Sequence, residues 1–205
     1  MEKLKRVLVA SSNPKKIKEI EEILNPLGVE VIKPPQKLEV EEWANTFIGN
    51  AYLKAKAYFD NFGIPTLADD SGLVVDEIAP YPGVYSARFY SLEKFGREKP
   101  EPSEDGANIK KLLRILKGKE NRRAKFVSVV LLYMGDGKMF VSEGEVYGTI
   151  AEEPRGDKGF GYDPIFIPEG HNKTFAEMSP DEKHRISHRG KALKNLVELL
   201  KSCKS

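Results

Sequence analysis

The sequence predicts an α/β protein in which helices flank a mixed central sheet. In the first half of the chain, short apolar runs typical of buried strands alternate with segments whose apolar residues recur at helical spacing. Later, a long apolar run followed by a glycine-rich turn predicts an antiparallel strand pair. At 205 residues, the chain suits one domain or two small lobes that share a cleft.

Two strand–helix pairs are predicted in the first half. The first pairs a strand over residues 7–10 with a helix from Pro14 to about Asn25. The second pairs a strand over residues 29–32 with a helix from near Thr46 to Gly63, a glycine suited to end a helix.

The middle of the chain predicts two short strands, residues 65–68 and 73–75, separated by a turn over residues 69–72. Residues 91–106, rich in Pro, Glu, Lys and Gly, predict a mobile loop. A third helix follows over residues 109–116.

The last third predicts a hairpin and two helices. A strand over residues 125–133 turns through residues 134–138 into a strand over residues 139–141. Residues 179–182 form a capping-box pattern that begins one helix, and another helix begins near Ser187.

The composition excludes several classes of protein. Apolar residues make up 40% and charged residues 31%, which indicates a folded core rather than disorder. The 33 basic and 31 acidic residues leave a net charge of +2, too little for a general nucleic-acid binder. The single cysteine, Cys203, excludes a disulfide framework and a multi-cysteine zinc site.

Neither a signal peptide nor a membrane span is indicated. The first apolar run covers only residues 7–10, and no run approaches the ~18 apolar residues that cross a membrane. We therefore expect a cytoplasmic protein with no membrane partner and no nucleic-acid partner.

The first candidate site lies where the first strand meets the first helix. Asn13 suits the N-cap and Pro14 the first helical position, so free backbone N–H groups and the positive end of the helix dipole lie here. Lys16, in the first turn, opposes this dipole unless an anion lies between them, and phosphate is the natural candidate. A capped surface helix with an incidental lysine is the alternative interpretation.

Two acidic segments suggest a metal site. Adjacent carboxylates at Asp69 and Asp70 repel each other unless a cation neutralises them, and neighbouring strand residues point to opposite faces. A Mg²⁺ ion held by one or two carboxylates and by substrate phosphates fits this pattern, with Glu41 or Glu42 as a candidate second ligand. The alternatives are an ordinary turn over residues 69–72, and acids at residues 41–42 that merely favour a helix start.

Two further segments suggest nucleotide binding. Residues 156–164 contain several glycines with Phe160 and Tyr162 between them, which predicts backbone close to a flat ligand such as a stacked nucleobase. His188 and Arg189, in a basic run at a helix start, carry donors suited to a carbonyl oxygen or a phosphate. An ordinary glycine-rich turn and a solvated basic helix face are the alternatives.

No motif for a protein nucleophile is recognisable in the chain. Serine and cysteine triads, the zinc-protease helix motif and the Walker-type phosphate loop are all absent from the sequence. Direct attack by water, assisted by a metal ion, is therefore the simplest mechanism.

Taken together, these segments resemble the inosine triphosphate pyrophosphatase family over nearly the whole chain. The matching motifs, in the family's order, are residues 11–16, 42–55, 68–73, 82–88, 159–164 and 182–190. Each motif is weak alone, but the full set in this order is specific. The chain departs from the family's usual pattern at Ser12, where glycine is usual, and at Trp43 and Ala44, where Thr-Gly is usual.

The resemblance implies a single domain over residues 1–205, with an elongated α/β fold of two lobes around a central cleft, and a homodimer. It implies hydrolysis of the deaminated purine nucleotides XTP, ITP and dITP to the monophosphate and pyrophosphate, with Mg²⁺ as cofactor. By motif position, Asp70 would accept the proton of water, and Glu42 and Asp70 would bind the metal. The residues that would bind substrate are Ser11, Ser12, Asn13, Pro14, Lys15, Lys16, Ser71, Phe160, Gly161, Tyr162, Asp163, Lys183, His188 and Arg189.

Two other functions are weighed against this one. A Maf-type nucleotide pyrophosphatase acts on pyrimidine or modified nucleotides, and it is not expected to carry segments like residues 160–164 and 187–190. A non-catalytic nucleotide-binding protein has no need of paired acids at the labile bond. We therefore expect an enzyme, a nucleoside triphosphate pyrophosphohydrolase.

Overall fold

The computed structural model describes residues 4–203 and confirms the predicted α/β class with a mixed sheet. Its strands are β1 (Arg6–Val9), β2 (Glu30–Ile32), β3 (Thr66–Val75), β4 (Arg123–Gly135), β5 (Lys138–Ile150) and β6 (Phe166–Pro168). Its α-helices are α1 (Pro14–Leu24), α2 (Phe47–Phe62), α3 (Glu104–Leu116), α4 (Pro180–Ile186) and α5 (His188–Ser202). The strands form one sheet in the order β2-β1-β3-β4-β5-β6, with β1 parallel to β2 and β3, and β5 antiparallel to β6. No helix in this described range is long and apolar enough to span a membrane.

Helix α1 begins at the cap predicted from the sequence, and α2 begins at the predicted place, next to Thr46. The Asn13 side chain accepts the Lys15 N–H at 3.0 Å, and the Thr46 hydroxyl accepts the Gly49 N–H at 3.1 Å. α2 ends before Gly63, whose φ of 66° is left-handed and favours glycine. Because these signals are local, the predicted bounds of both helices are confirmed to within about one residue.

The predicted pair of short strands with a turn over residues 69–72 is wrong, because β3 is one continuous strand of 10 residues. Two acidic residues in succession disfavour a strand when only the local sequence is considered. In the structure, Lys16 and Arg189 pair with Asp69 from elements that are distant in sequence. This pairing removes the repulsion that made a turn the simpler interpretation.

Other bounds also differ from the prediction. α3 begins at Glu104 with Ser103 as its N-cap, so the last residues of the predicted loop are helical. β5 has 13 residues and extends far beyond residues 139–141, and the short strand β6 has no counterpart in the prediction. β5 carries polar residues among its buried ones, for example Ser142 and Glu145, so a search for apolar runs finds only its beginning.

The chain divides into two compact units, each with its own apolar core. The described part of the first unit comprises residues 4–70, 128–144 and 189–203. Its core is formed by side chains of β1, α1, β4 and α5: Val7, Val9, Ile17, Ile20, Leu24, Val130, Leu132, Leu193 and Leu196. Burial of these side chains fixes α1 and α5 in place, and with them Lys16 and Arg189.

The second unit comprises residues 71–127 and 145–188. Its core includes the rings of Phe126, Phe166 and Phe175, whose centroids lie between 4.6 and 5.8 Å apart. Such edge-on and offset contacts between rings favour one arrangement of the core over others. This core supports the glycine-rich segment that follows β5.

Candidate active site

Asp69 is the centre of a cluster of charges in the first unit. Its Oδ1 lies 2.6 Å from Lys16 Nζ, and its Oδ2 lies 3.4 Å from Arg189 Nε. Lys54 donates to the backbone oxygen of Asp69 at 2.5 Å. Arg189 also lies 3.7 Å from Glu19 Oε2, so its guanidinium contacts two carboxylates. Asp69 is 9% exposed, so these contacts are largely shielded from water.

The cations around Asp69 determine its charge. Burial alone would raise the pKa of Asp69, but the positive charges of Lys16, Arg189 and Lys54 outweigh burial and hold this pKa well below its usual range. Asp69 therefore stays ionised and orients Lys16 and Arg189. The sequence predicted an anion opposite Lys16, and the structure supplies one from the chain itself.

Asp70, the next residue of β3, has the opposite electrostatic environment. Burial raises the pKa of Asp70 to about 6, and the negative charges of Glu42 and Asp69 add to this effect. The charge of Lys54 and a hydrogen bond from Asn50 act in the other direction but are outweighed. A carboxylate with a pKa near neutrality is suited to accept a proton from water.

Asn50 on α2 connects Asp70 to the segment that carries Glu42. Its side chain accepts the Ala44 N–H at 3.0 Å and donates to the Ala44 oxygen at 3.2 Å. A Cβ at Gly49 would lie 2.7 Å from the Ala44 Cβ, so glycine is required where this segment crosses the start of α2. Ala44, one of the positions where the chain departs from the family's usual pattern, is thus fixed by hydrogen bonds to Asn50 two residues after Glu42.

The sequence motifs assigned no role to Asn50 or to Lys54, whose Nζ lies 3.1 Å from Glu42 Oε1. Both side chains lie on one face of α2, since residues four apart in a helix are neighbours. A buried polar residue in a helix face otherwise made of Ala and aromatic residues is the signal that identifies Asn50, and Lys54 lies one helical turn further along.

Glu42 and Asp70 fit a divalent cation. Among residues 4–203, no group of three or more His, Cys, Asp or Glu side chains is arranged to hold a metal ion. Mg²⁺ needs only one or two protein carboxylates when substrate phosphates complete its coordination. The mutual repulsion of Glu42 and Asp70, visible in the raised pKa of Asp70, is what a cation would relieve. Asp69 is a poorer ligand because cationic side chains already contact both of its carboxylate oxygens.

The predicted phosphate-binding segment, residues 11–16, precedes and begins α1. Ser11 Oγ accepts the Asn13 N–H at 3.1 Å, and Asn13 accepts the Lys15 N–H, so two donors are used within the segment. Ser12, Asn13, Pro14 and Lys15 are exposed, whereas Lys16 is half-buried beside Asp69. Lys16, Asp69 and Arg189 line one hollow together with Ala10 and Leu193.

In the second unit, the glycine-rich segment presents Phe160 to solvent. The Phe160 side chain is 63% exposed, and Lys183 Nζ lies 4.8 Å from its ring centroid. Asp163 Oδ2 accepts the Phe160 N–H at 3.1 Å and lies 2.6 Å from Lys183 Nζ. An exposed aromatic ring held by its own backbone suits the stacking of a base.

The glycines of this segment are required by contacts within the chain. Gly156 and Gly159 have φ angles of 88° and 75°, which other residues rarely adopt. A Cβ at Gly156 would overlap with the backbone of Ala176, and one at Gly159 with the carboxylate of Asp163. Contacts within the chain are therefore sufficient to explain these two glycines, and the close approach of a flat ligand to this segment stays a prediction.

The remaining predicted residues of this unit differ in accessibility. Tyr162 is buried and donates its hydroxyl hydrogen to the Ser86 oxygen at 2.7 Å, so its ring belongs to the core and is no stacking surface. His188 is half-buried and stacks on Phe126, with ring centroids 4.9 Å apart. Ser71 is half-buried in β3, directly after Asp70.

The family model of the Ham1 family matches residues 7–199 of the chain. The chain belongs to the Ham1 family. This confirms the family resemblance inferred from the motifs.

Known members of the Ham1 family are similar over their whole length. The chain is 59% identical to the dITP/XTP pyrophosphatase of Aquifex aeolicus, over 97% of this chain and 98% of the relative. It is 50% identical to the dITP/XTP pyrophosphatase of Hydrogenobaculum sp., over 96% and 98%. The solved structure of the Staphylococcus aureus Ham1 protein aligns with a TM-score of 0.84 at 38% identity, over 97% of this chain and 99% of that one. This solved structure confirms the α/β fold.

The predicted site residues of this Ham1-family chain divide between the two units. The first unit contains Ser11, Ser12, Asn13, Pro14, Lys15, Lys16, Glu42, Asp70 and Arg189. The second unit contains Ser71, Phe160, Gly161, Tyr162, Asp163, Lys183 and His188. Arg189 contacts Asp69 and Glu19, so it belongs to the same charge cluster as Lys16.

Proposed function

We propose that this Ham1-family protein hydrolyses ITP, dITP and XTP to the nucleoside monophosphate and pyrophosphate, with water as nucleophile and Mg²⁺ as cofactor. The observation that carries this proposal is the position of Asp70 in β3, near the carboxylate of Glu42 and directly after Asp69, which contacts Lys16 and Arg189. The names and the near-complete coverage of the relatives from Aquifex aeolicus and Hydrogenobaculum sp. support the choice of substrate.

Asp70 acts as the general base in this reaction. It accepts a proton from the attacking water, whose oxygen bonds to the α-phosphorus. The bond from the α-phosphorus to the bridging oxygen breaks, and its electron pair leaves with pyrophosphate. Glu42 and Asp70 would hold Mg²⁺, which when bound would supply positive charge near the phosphates and the leaving group.

Lys16 and Arg189 contact the triphosphate, and the ionised Asp69 keeps their side chains oriented. Asn50 and Lys54 position Asp70 and Glu42. In the second unit, Phe160 stacks on the base, and Lys183 and His188 supply donors for it. A homodimer and a cytoplasmic location stay predictions of the family resemblance, and sedimentation of the purified protein tests the first of them.

The products of ITP hydrolysis test the proposal. We expect equal amounts of IMP and pyrophosphate and no orthophosphate, with activity lost in EDTA and restored by added Mg²⁺. Release of orthophosphate from ITP would contradict a pyrophosphohydrolase. Turnover of dTTP and UTP without turnover of ITP would favour the Maf-type alternative.

Replacing Lys16 tests the contact with phosphate. Lys16→Ala is expected to lower kcat/KM for ITP at least ~10-fold, because a phosphate ligand is lost, and to lower stability by ~1–3 kcal/mol, because Asp69 loses its nearest cation. Lys16→Arg retains the charge and should recover part of both losses.

The matched control for Lys16 is Lys18, an exposed lysine of the same helix that lies outside the predicted phosphate-binding segment. Lys18→Ala changes the net charge by the same amount but should leave the kinetics and the urea midpoint unchanged. Normal kinetics in Lys16→Ala would show that Lys16 does not bind phosphate and that residues 11–16 have only a structural role.

A further inference from the structure

Asp105, in the first turn of α3, contacts the glycine-rich segment of the second unit. Its Oδ2 accepts the Gly161 N–H at 2.8 Å, across 56 residues of sequence. The preceding N–H, that of Phe160, is accepted by Asp163 Oδ2. Two carboxylates from different parts of the chain therefore hold two successive N–H groups of one segment.

The backbone around Phe160 needs such restraints. Gly159 and Gly161 flank this residue with φ angles of 75° and 59°, and glycine loses more conformational freedom than any other residue when it is held in one conformation. The Phe160 ring is 63% exposed, so burial contributes little to its position. Hydrogen bonds to the backbone carry most of the restraint.

Asp105 is not needed to cap its own helix. The Ser103 hydroxyl accepts the Gly106 N–H at 3.0 Å and serves as N-cap. The adjacent acid, Glu104, accepts a hydrogen bond from the Tyr90 hydroxyl at 3.0 Å. Asp105 and Glu104 thus share the same place at the helix start but have different partners.

We propose that Asp105 is a positioning residue that orients the Phe160 ring for the purine base by holding the Gly161 N–H. The role rests on the proposed nucleotide hydrolysis, and Asp105 itself touches no substrate. A carboxylate suits this task, since hydrogen bonds to an ionised acceptor are stronger than those to a neutral one. Loss of the restraint leaves the ring to be ordered by the incoming base, which weakens binding more than it slows the chemical step.

The kinetic test compares Asp105→Ala with Glu104→Ala. Both remove one negative charge from the first turn of α3, so both lose the same interaction with the helix dipole. Asp105→Ala is expected to raise KM for ITP about fivefold with kcat changed less than about twofold, and Glu104→Ala to leave KM unchanged. Asp105→Asn retains an acceptor oxygen and should restore most of the affinity.

Hydrogen exchange gives a readout that does not depend on activity. The Gly161 amide should exchange faster in Asp105→Ala than in the unmodified protein and in Glu104→Ala. Equal exchange rates in all three proteins would overturn the proposal whatever the kinetics. An equal KM for ITP in the two alanine variants would also overturn it, while ITP turnover by the unmodified protein would leave the proposed function standing.

Discussion

Asp70→Asn is expected to lower kcat for ITP by ~10²–10⁴ with only a modest change in KM. Asparagine retains the shape of the side chain but cannot accept the proton of water, and loss of a general base alone has about this effect. The variant also loses one charge of the proposed metal site that Asp70 forms with Glu42. Because binding of the triphosphate depends on other side chains, the loss should appear in kcat.

Stability measurements separate this catalytic loss from misfolding. The pKa of Asp70 is raised from 3.8 to about 6, so the bound proton stabilises the fold below pH 3.8, and this stabilisation is lost as the pH rises through about 6. At pH 7.5 in EDTA, Asp70→Asn should therefore be more stable than the unmodified protein by ~1–3 kcal/mol, and the difference should shrink towards pH 4. A stable variant with near-normal turnover at saturating Mg²⁺ would disprove the role of Asp70 as base.

ITP and XTP are expected to exceed ATP and GTP by at least ~10² in kcat/KM. Hypoxanthine and xanthine present an oxygen acceptor at C6, whereas adenine presents an amino donor there. The donors near the Phe160 ring, among them the Lys183 ammonium, would face that amino group unpaired, at a cost of ~1–3 kcal/mol for each buried group. Guanine retains the C6 oxygen, so rejection of GTP depends on its 2-amino group finding no acceptor.

Variants in the two units should affect this selectivity differently. Arg189 contacts Asp69 and Glu19 in the first unit, so Arg189→Ala should slow all four nucleotides to the same degree. Lys183→Met should instead reduce the ratio of ITP to ATP, because Lys183 lies beside the Phe160 ring. The measurement is kcat/KM for ITP, XTP, ATP and GTP in both variants and in the unmodified protein. Comparable hydrolysis of ATP and ITP by the unmodified protein would indicate a general nucleotide pyrophosphatase.

Features of the fold that depend on local chemistry were predictable from the sequence. The caps at Asn13 and Ser179 act on N–H groups within three residues of the cap, and both predictions are confirmed. The single strand β3 was not predictable in this way, since the Lys16 that neutralises Asp69 lies 53 residues away in sequence. Electrostatic partners at such distances become visible only in the folded chain.

In the candidate site, too, the sequence identifies residue types, whereas burial and contacts between distant segments are visible only in the structure. Residue type and order were sufficient to identify Asp70, Glu42, Lys16 and Phe160 as candidates. They could not distinguish the buried Tyr162 from the exposed Phe160, because burial depends on the packing of the whole second unit. Nor could they identify Asp105, whose contact with Gly161 joins segments 56 residues apart.

The core of the first unit has a consequence for biosynthesis. β1 and α1 leave the ribosome long before Leu193 and Leu196 of α5, which belong to the same apolar core. At ~5–20 residues per second, the apolar faces of β1 and α1 wait roughly 10–35 s for α5. During this interval they are available to chaperones and to other nascent chains. Messages truncated before α5 should therefore yield chains that are degraded or aggregate, rather than a folded protein that merely lacks Arg189.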